Sequence, residues 1–268
     1  SRAAKSDPGF LMAYTNLALS HEKAGDVEEA KLFYGMAIER PSSLTSRATV
    51  ETRARAAYGL ARLYFDEKKY LTSRRFAEEA LRMDESIRGL ADFYAKVEGS
   101  ITETRALADE LVAAGDAMLD ISPDKAAELY YRAAAVAPEY SEPPLKLARL
   151  YYRAGEFARA LEEYGTAARC GKAGADFDYE FGVAALRCED FETAAERLSM
   201  ALAVEPSMDK AKVKLALARA YRGEPAQALV LLEEVLAGDP GNEEARLNYT
   251  AIKAYLEERI GQPENARK

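Results

Sequence analysis

Three stretches of the chain, ALEEYGTA (residues 160–167), AAERLSMA (194–201) and ALVLLEEV (228–235), decide the fold. Their starts at Ala160, Ala194 and Ala228 lie 34 residues apart, as do Tyr164, Leu198 and Leu232 at their centres. Each stretch ends three residues later on a small or branched apolar residue, Ala167, Ala201 or Val235. Upstream, Leu147-Ala148, Phe181-Gly182 and Leu215-Ala216 keep the same beat. A fixed period of this length marks stacked supersecondary units, and small residues mark where paired helices approach closely.

Working outward from this core, the same frame fits other parts of the chain. In residues 7–40, Tyr14, Leu17, Ala18 and His21 share one helical face at spacings of three and four. Gly25-Asp26 breaks that helix, and Ala30, Tyr34 and Ala37 face back from the next. Residues 57–83 fit through Leu60-Ala61, Tyr64, Tyr70, Ala77 and Ala80, and residues 111–138 through Gly115, Ala127, Tyr131 and Ala134. With the key second-helix position set at 30, 73, 127, 160, 194 and 228, the intervals are 43, 54, 33, 34 and 34. The longer first interval reads as a turn at Pro41–Arg53 that extends the following helix at its start. The second leaves room for a separate short helix, Glu85–Glu98, ended by Gly99-Ser100. Ser122-Pro123-Asp124 and Pro225 are helix starts.

The phrase Asp7-Pro8, Tyr14, Asn16-Leu17-Ala18, Gly25-Asp26, Glu29-Ala30, Ala37 resembles the tetratricopeptide repeat consensus. The resemblance implies an all-α, right-handed superhelical solenoid of antiparallel helix pairs. On this reading residues 1–268 form a single array, with pairs at about 7–40, 54–83, 108–138, 141–172, 175–206 and 209–240. Residues 84–104 hold the inserted helix, 242–260 a C-terminal capping helix and 261–268 a flexible tail. Ser1–Asp7 reads as the last turn of a preceding helix, so the start looks truncated or processed.

Composition excludes several classes. The net charge is −8 with a pI near 5.1, against nucleic-acid binding, which draws its affinity from basic surface. No apolar run is long enough to span a membrane. With one histidine and only Cys170 and Cys188, no closed zinc site of nitrogen and sulfur ligands is available. His21 stands where other units carry packing residues, and the two cysteines fall at opposite edges of a helical stack, unsuited to a disulfide. Gly165–Lys172 resembles a phosphate loop but lacks its spacing and a preceding strand. No catalytic residue, metal or cofactor is expected. Sparse cysteine favours a cytoplasmic compartment, whereas a periplasmic or lipid-anchored location would require a removed N-terminal signal.

In proteins of this family the first helix of each pair lines a concave groove where peptides bind. Carried onto this register, the resemblance selects Tyr58, Arg62, Phe65, Asp116, Arg149, Tyr152, Tyr179 and Tyr221 as groove residues. The family's carboxylate clamp is not matched, since Thr15, Leu19, Leu145 and Arg149 occupy its positions. The expected function is a non-catalytic scaffold or adaptor holding a peptide or helix of a partner protein. The alternative is a self-assembling or spacer subunit of a larger complex, in which these side chains meet another copy. Charge is uneven as well: residues 44–88 hold ten Lys and Arg against seven Asp and Glu, and residues 103–142 three against nine. Such asymmetry could steer a charged partner or drive a homo-oligomer.

Overall fold

A computed structural model describes residues 8–39 and 46–261. Among these residues the chain is all-α, with thirteen helices and no strand. In order they are α1 Pro8–Ala24, α2 Val27–Glu39, α3 Arg47–Asp66, α4 Tyr70–Met83, α5 Leu90–Met118, α6 Pro123–Val136 and α7 Glu142–Arg153. There follow α8 Phe157–Arg169, α9 Ala175–Arg187, α10 Phe191–Val204, α11 Asp209–Tyr221, α12 Pro225–Gly238 and α13 Glu243–Gly261. The proposed preceding turn at Ser1–Asp7, the turn starting at Pro41 and most of the tail fall outside the described residues.

The turns between paired helices explain why the pairs are antiparallel and close. Gly25, Gly155 and Gly223 adopt φ of 87°, 80° and 82°, a left-handed conformation that ends one helix and lets the chain reverse. At the equivalent turns, Lys68 (φ 60°) and Glu189 (φ 59°) accept the same conformation without glycine.

The chain divides into two compact units, Ser1–Ala114 with Arg132–Tyr140, and Gly115–Tyr131 with Ser141–Lys268. In the first, Ala18, Ala30, Tyr34, Ala37, Ala56, Leu60 and Leu63 form one apolar cluster. Ala57, Ala61, Ala77, Ala80 and Leu90 form another. Ser73 takes the place of the key alanine in α4 and is fully buried, its hydroxyl donating to the carbonyl of Ala61 at 2.7 Å. That bond removes the cost of burying an unpaired hydroxyl.

In the second unit the apolar stripe of α8, Ala160, Tyr164 and Ala167, is buried at the expected spacings of four and three. Ala194, Leu198 and Met208 pack with Leu215 and Ala218, and Val213, Leu232 and Val235 pack with Ala245 and Ile252 of α13. Burying each such leucine stabilises by about 2 kcal/mol. The side chain of Asn242 accepts from the amide of Ala245 at 3.0 Å and caps α13.

Two sequence expectations are corrected. The break at Gly99-Ser100 does not occur: α5 is one helix of 29 residues. A glycine inside a helix costs only about 1 kcal/mol, and the buried Leu90, Val97 and Ala108 hold both halves to the core. The second correction is one of register. In α6 the buried residues are Ala126, Tyr130 and Ala133, not Ala127, Tyr131 and Ala134. Helix α5 ends three residues after Gly115 and is followed by a four-residue turn, whereas α7 ends five after Ala148 with a three-residue turn, so the returning helix starts one position earlier. Tyr130 then seats directly over Gly115, where an added Cβ would lie 2.5 Å from its ring.

Candidate peptide-binding surface

In the second unit the first helices of successive pairs are joined by ion pairs. Lys146 of α7 reaches Asp116 at 2.8 Å, and Arg149 holds Glu180 of α9 with two bonds, 2.8 Å and 3.0 Å. Lys210 of α11 meets Asp176 at 3.2 Å, and Lys214 pairs with Glu244 of α13. Arg153, one turn beyond Arg149, makes a longer contact with Asp120, 3.4 Å. Burial would raise the Asp116 carboxyl, but hydrogen bonds from Lys146 and Tyr130 outweigh it and hold the group below the usual carboxylate range.

Between α7, α8 and α9 lies an open hollow of about 370 Å³, walled by Tyr152, Tyr164, Tyr179 and Val183 and edged by Arg149, Arg153 and Glu180. The three aromatic walls are held in place. Tyr152 packs edge-on against Phe157, 5.3 Å between ring centres, and Arg187 lies over Phe157. Tyr179 carries Lys210 above its ring at 4.6 Å. Tyr164 is buried, and burial with the Glu180 carboxylate nearby pushes its hydroxyl pKa well up, so it stays neutral. The hollow thus combines rigid aromatic surface with two guanidinium groups, the side chains that most often anchor interfaces.

Of the eight residues selected from sequence, three (Arg149, Tyr152 and Tyr179) are brought together in this hollow. Asp116 sits elsewhere in the same unit, tied to Tyr130 and Lys146. Tyr221 is 64 % exposed and stacks on Phe191 at 4.6 Å, away from the lining. The other three belong to the first unit, where the unbroken α5 changes their surroundings. Tyr58 and Phe65 both pack edge-on against Phe93 of α5, at 5.4 Å and 5.5 Å. Lys96 lies over Phe65. Arg62 is held by Glu22 at 2.9 Å beside the Tyr58 ring. These side chains form a packed aromatic cluster with α5 rather than an open row.

Sequence reading passed over Arg153 and Glu180. Arg153 could have been found as the residue four beyond Arg149 on the same helical face, and Glu180 by its place beside Tyr179. It also missed Asp178, 2 % exposed and paired with Arg197 at 3.3 Å, while Arg197 lies over the Phe181 ring. His21 stacks on Phe33 at 5.3 Å and contacts Asp26, consistent with packing. No disulfide joins Cys170 and Cys188. Among the described residues no group of three or more His, Cys, Asp or Glu is placed to hold a metal ion, and no helix is long and apolar enough to cross a membrane.

Residues 117–173 match the tetratricopeptide repeat family. No curated protein matches the sequence. Among solved structures, the second repeat domain of human RPAP3, in complex with the HSP70 peptide SGPTIEEVD, is 26 % identical. That match covers 40 % of this chain and 88 % of that one, with a TM-score of 0.37. The MamA protein is 22 % identical over 63 % of this chain and 98 % of its own, TM-score 0.44. The APC/C hetero-tetramer Cut9–Hcn1 is 13 % identical over 84 % and 52 %, TM-score 0.45. Residues 117–173 thus carry the tetratricopeptide repeat pattern, and antiparallel helix pairs of the same kind run on either side of them.

Proposed function

We propose that this protein is a non-catalytic interaction scaffold whose second unit holds an extended or helical segment of a partner protein against α7 and α9. The observation that carries this reading is the hollow of Arg149, Tyr152 and Tyr179: open, rigidly backed and aromatic, with cations at its edge. The charged groups there are engaged with one another, Arg149 with Glu180 above all, and this arrangement suits recognition better than proton transfer. Tyr221 would extend the contact along α11.

The test is to replace Tyr179 with a photo-crosslinking phenylalanine analogue, irradiate in the native cell and map the crosslinked peptide. Crosslinks to a segment of another protein, lost when Arg149→Glu is added, would support the reading. The Arg149→Glu/Tyr179→Ala variant should keep its helical circular dichroism while losing capture. Unchanged capture would remove the groove assignment, and crosslinks to a second copy alone would make this a self-assembling or spacer subunit.

A further inference from the structure

The hollow also carries information about what it binds. Its volume of about 370 Å³ lies within the roughly 300–1,000 Å³ usual for ligand sites. Its walls are Tyr152, Tyr164, Tyr179 and Val183, so its interior accepts an apolar group. The Tyr152 and Tyr179 hydroxyls hydrogen-bond to no described residue, so both can donate to a ligand's carbonyl oxygens.

The edge is selective for charge. Arg149 is committed to Glu180 through two bonds, and their charges cancel. Arg153 is the cation left over. It is 63 % exposed, and its contact with Asp120 is the longest of the first-helix pairs, to a carboxylate that is itself 87 % exposed. Exchanging so loose a surface pair for another carboxylate costs little. A cationic ligand would meet both guanidinium groups, whereas an acidic one meets a guanidinium that can turn to it.

We propose that the hollow receives an apolar or aromatic side chain from an internal acidic segment of a protein, with an Asp or Glu of that segment on Arg153 and its backbone carbonyls on the Tyr152 and Tyr179 hydroxyls. The recognised carboxylate is a side chain rather than a chain end. This rests on the reading of the hollow as a binding surface, and it names the chemistry of the occupant.

Selection of a displayed random-peptide library on the intact protein tests it, followed by anisotropy titration of the winning sequences as acetylated, amidated peptides. The expected motif has Asp or Glu within four residues of Phe, Tyr, Leu, Ile or Met, binding with both ends capped. Arg153→Glu should weaken it at least 10-fold and Tyr179→Ala by a similar factor. The exposed cation Arg169→Glu, outside the hollow, should change it less than 2-fold. Enrichment of basic motifs, dependence on a free C-terminus, or indifference to Arg153→Glu would overturn the acidic-segment assignment. If such binders still lose affinity in Tyr179→Ala, the groove itself stands. If no peptide is enriched, or none responds to Tyr179→Ala, both readings fall.

Discussion

The carboxylate of Glu139 caps helix α4 through Thr72. It accepts from the Thr72 amide at 3.1 Å and from the Thr72 hydroxyl, and also from the Leu71 amide at 2.7 Å. Helix α4 begins at Tyr70 after Lys69, which offers no capping side chain, so its first free amides are satisfied by a residue 67 positions away in sequence. Glu139→Ala should therefore destabilise the protein by about 1–2 kcal/mol. Chemical denaturation would measure the loss. Amide exchange would localise it to Leu71 and Thr72, and uniform exchange across α4 would refute the capping role.

Opposite signs are expected from one kind of substitution at two glycines. A Cβ at Gly59 would lie 2.4 Å from the ring of Tyr34, which is 1 % exposed and cannot withdraw. Gly59→Ala should cost about 1–3 kcal/mol through overpacking. Gly99, inside α5, has nothing within 4 Å of a new Cβ. There Gly99→Ala should stabilise by about 0.5–1 kcal/mol through helix propensity alone. Thermal melts of the two variants decide the matter.

Glu189 holds φ at 59° in the turn between α9 and α10, where other pairs use glycine. A left-handed conformation costs a residue with a Cβ about 1–2 kcal/mol, part of which glycine returns in unfolded-state entropy. Glu189→Gly should raise the denaturation midpoint, by up to about 1 kcal/mol in stability, and Lys68→Gly should do likewise. A lowered midpoint in both would show that these turns are held by side-chain contacts instead.

The Asp178–Arg197 pair is a third kind of case. Asp178 is almost wholly buried and Arg197 largely so, with its Nε left without a partner. Removing one charge leaves the other uncompensated, and Asp178→Ala should cost about 3 kcal/mol. Asp178→Leu combined with Arg197→Met should cost less than the sum of the single changes. Additive losses in that double-mutant cycle would mean that the two groups are not coupled.

Stability should fall on acidification through identifiable groups. The carboxyls of Asp116 and Glu67 are both held below their ordinary values, each because hydrogen bonds from lysine outweigh the opposing effect of burial. Their contribution is complete above the unfolded values of about 4 and is lost as the pH drops through the lower folded values. Asp116→Asn with Glu67→Gln should flatten the acid limb of the stability profile below about pH 4. On the alkaline side, burial and the Tyr131 hydroxyl push Tyr151 up to about 12. Its contribution, complete below about pH 10, is lost as the pH rises through 12, and Tyr151→Phe should remove that part of the alkaline decline.

How much of this was legible in sequence depends on the regularity of the repeat. From Leu147 to Val235 the 34-residue beat places the helices and their buried faces together, because the turn inside every pair has the same three-residue length. Where the beat stretches, local signals mislead. Gly99 reads as a stop, yet tertiary burial of Val97 and Ala108 overrides its modest propensity. The α6 register slips by one because α5 ends early and a longer turn follows it, which the spacing of the other repeats does not contain, and Tyr130 rather than Tyr131 then packs on Gly115. Tyr58 and Phe65 look like open groove residues until the unbroken α5 brings Phe93 against them. Arg149, Tyr152 and Tyr179 come together because they lie in the regular half.

The ladder of ion pairs along α7, α9, α11 and α13 makes the repeats unlike beads that can be restrung. Lys214 stands 34 residues after Glu180 (214 − 180), the corresponding place in the following pair. Excising α9 and α10 as one 34-residue module would keep the apolar beat intact while setting Arg149 opposite Lys214 in place of its carboxylate. Module order is thus written in charge rather than in the repeat consensus, and a shuffled or duplicated array would keep its hydrophobic spacing yet meet like charges at the seam.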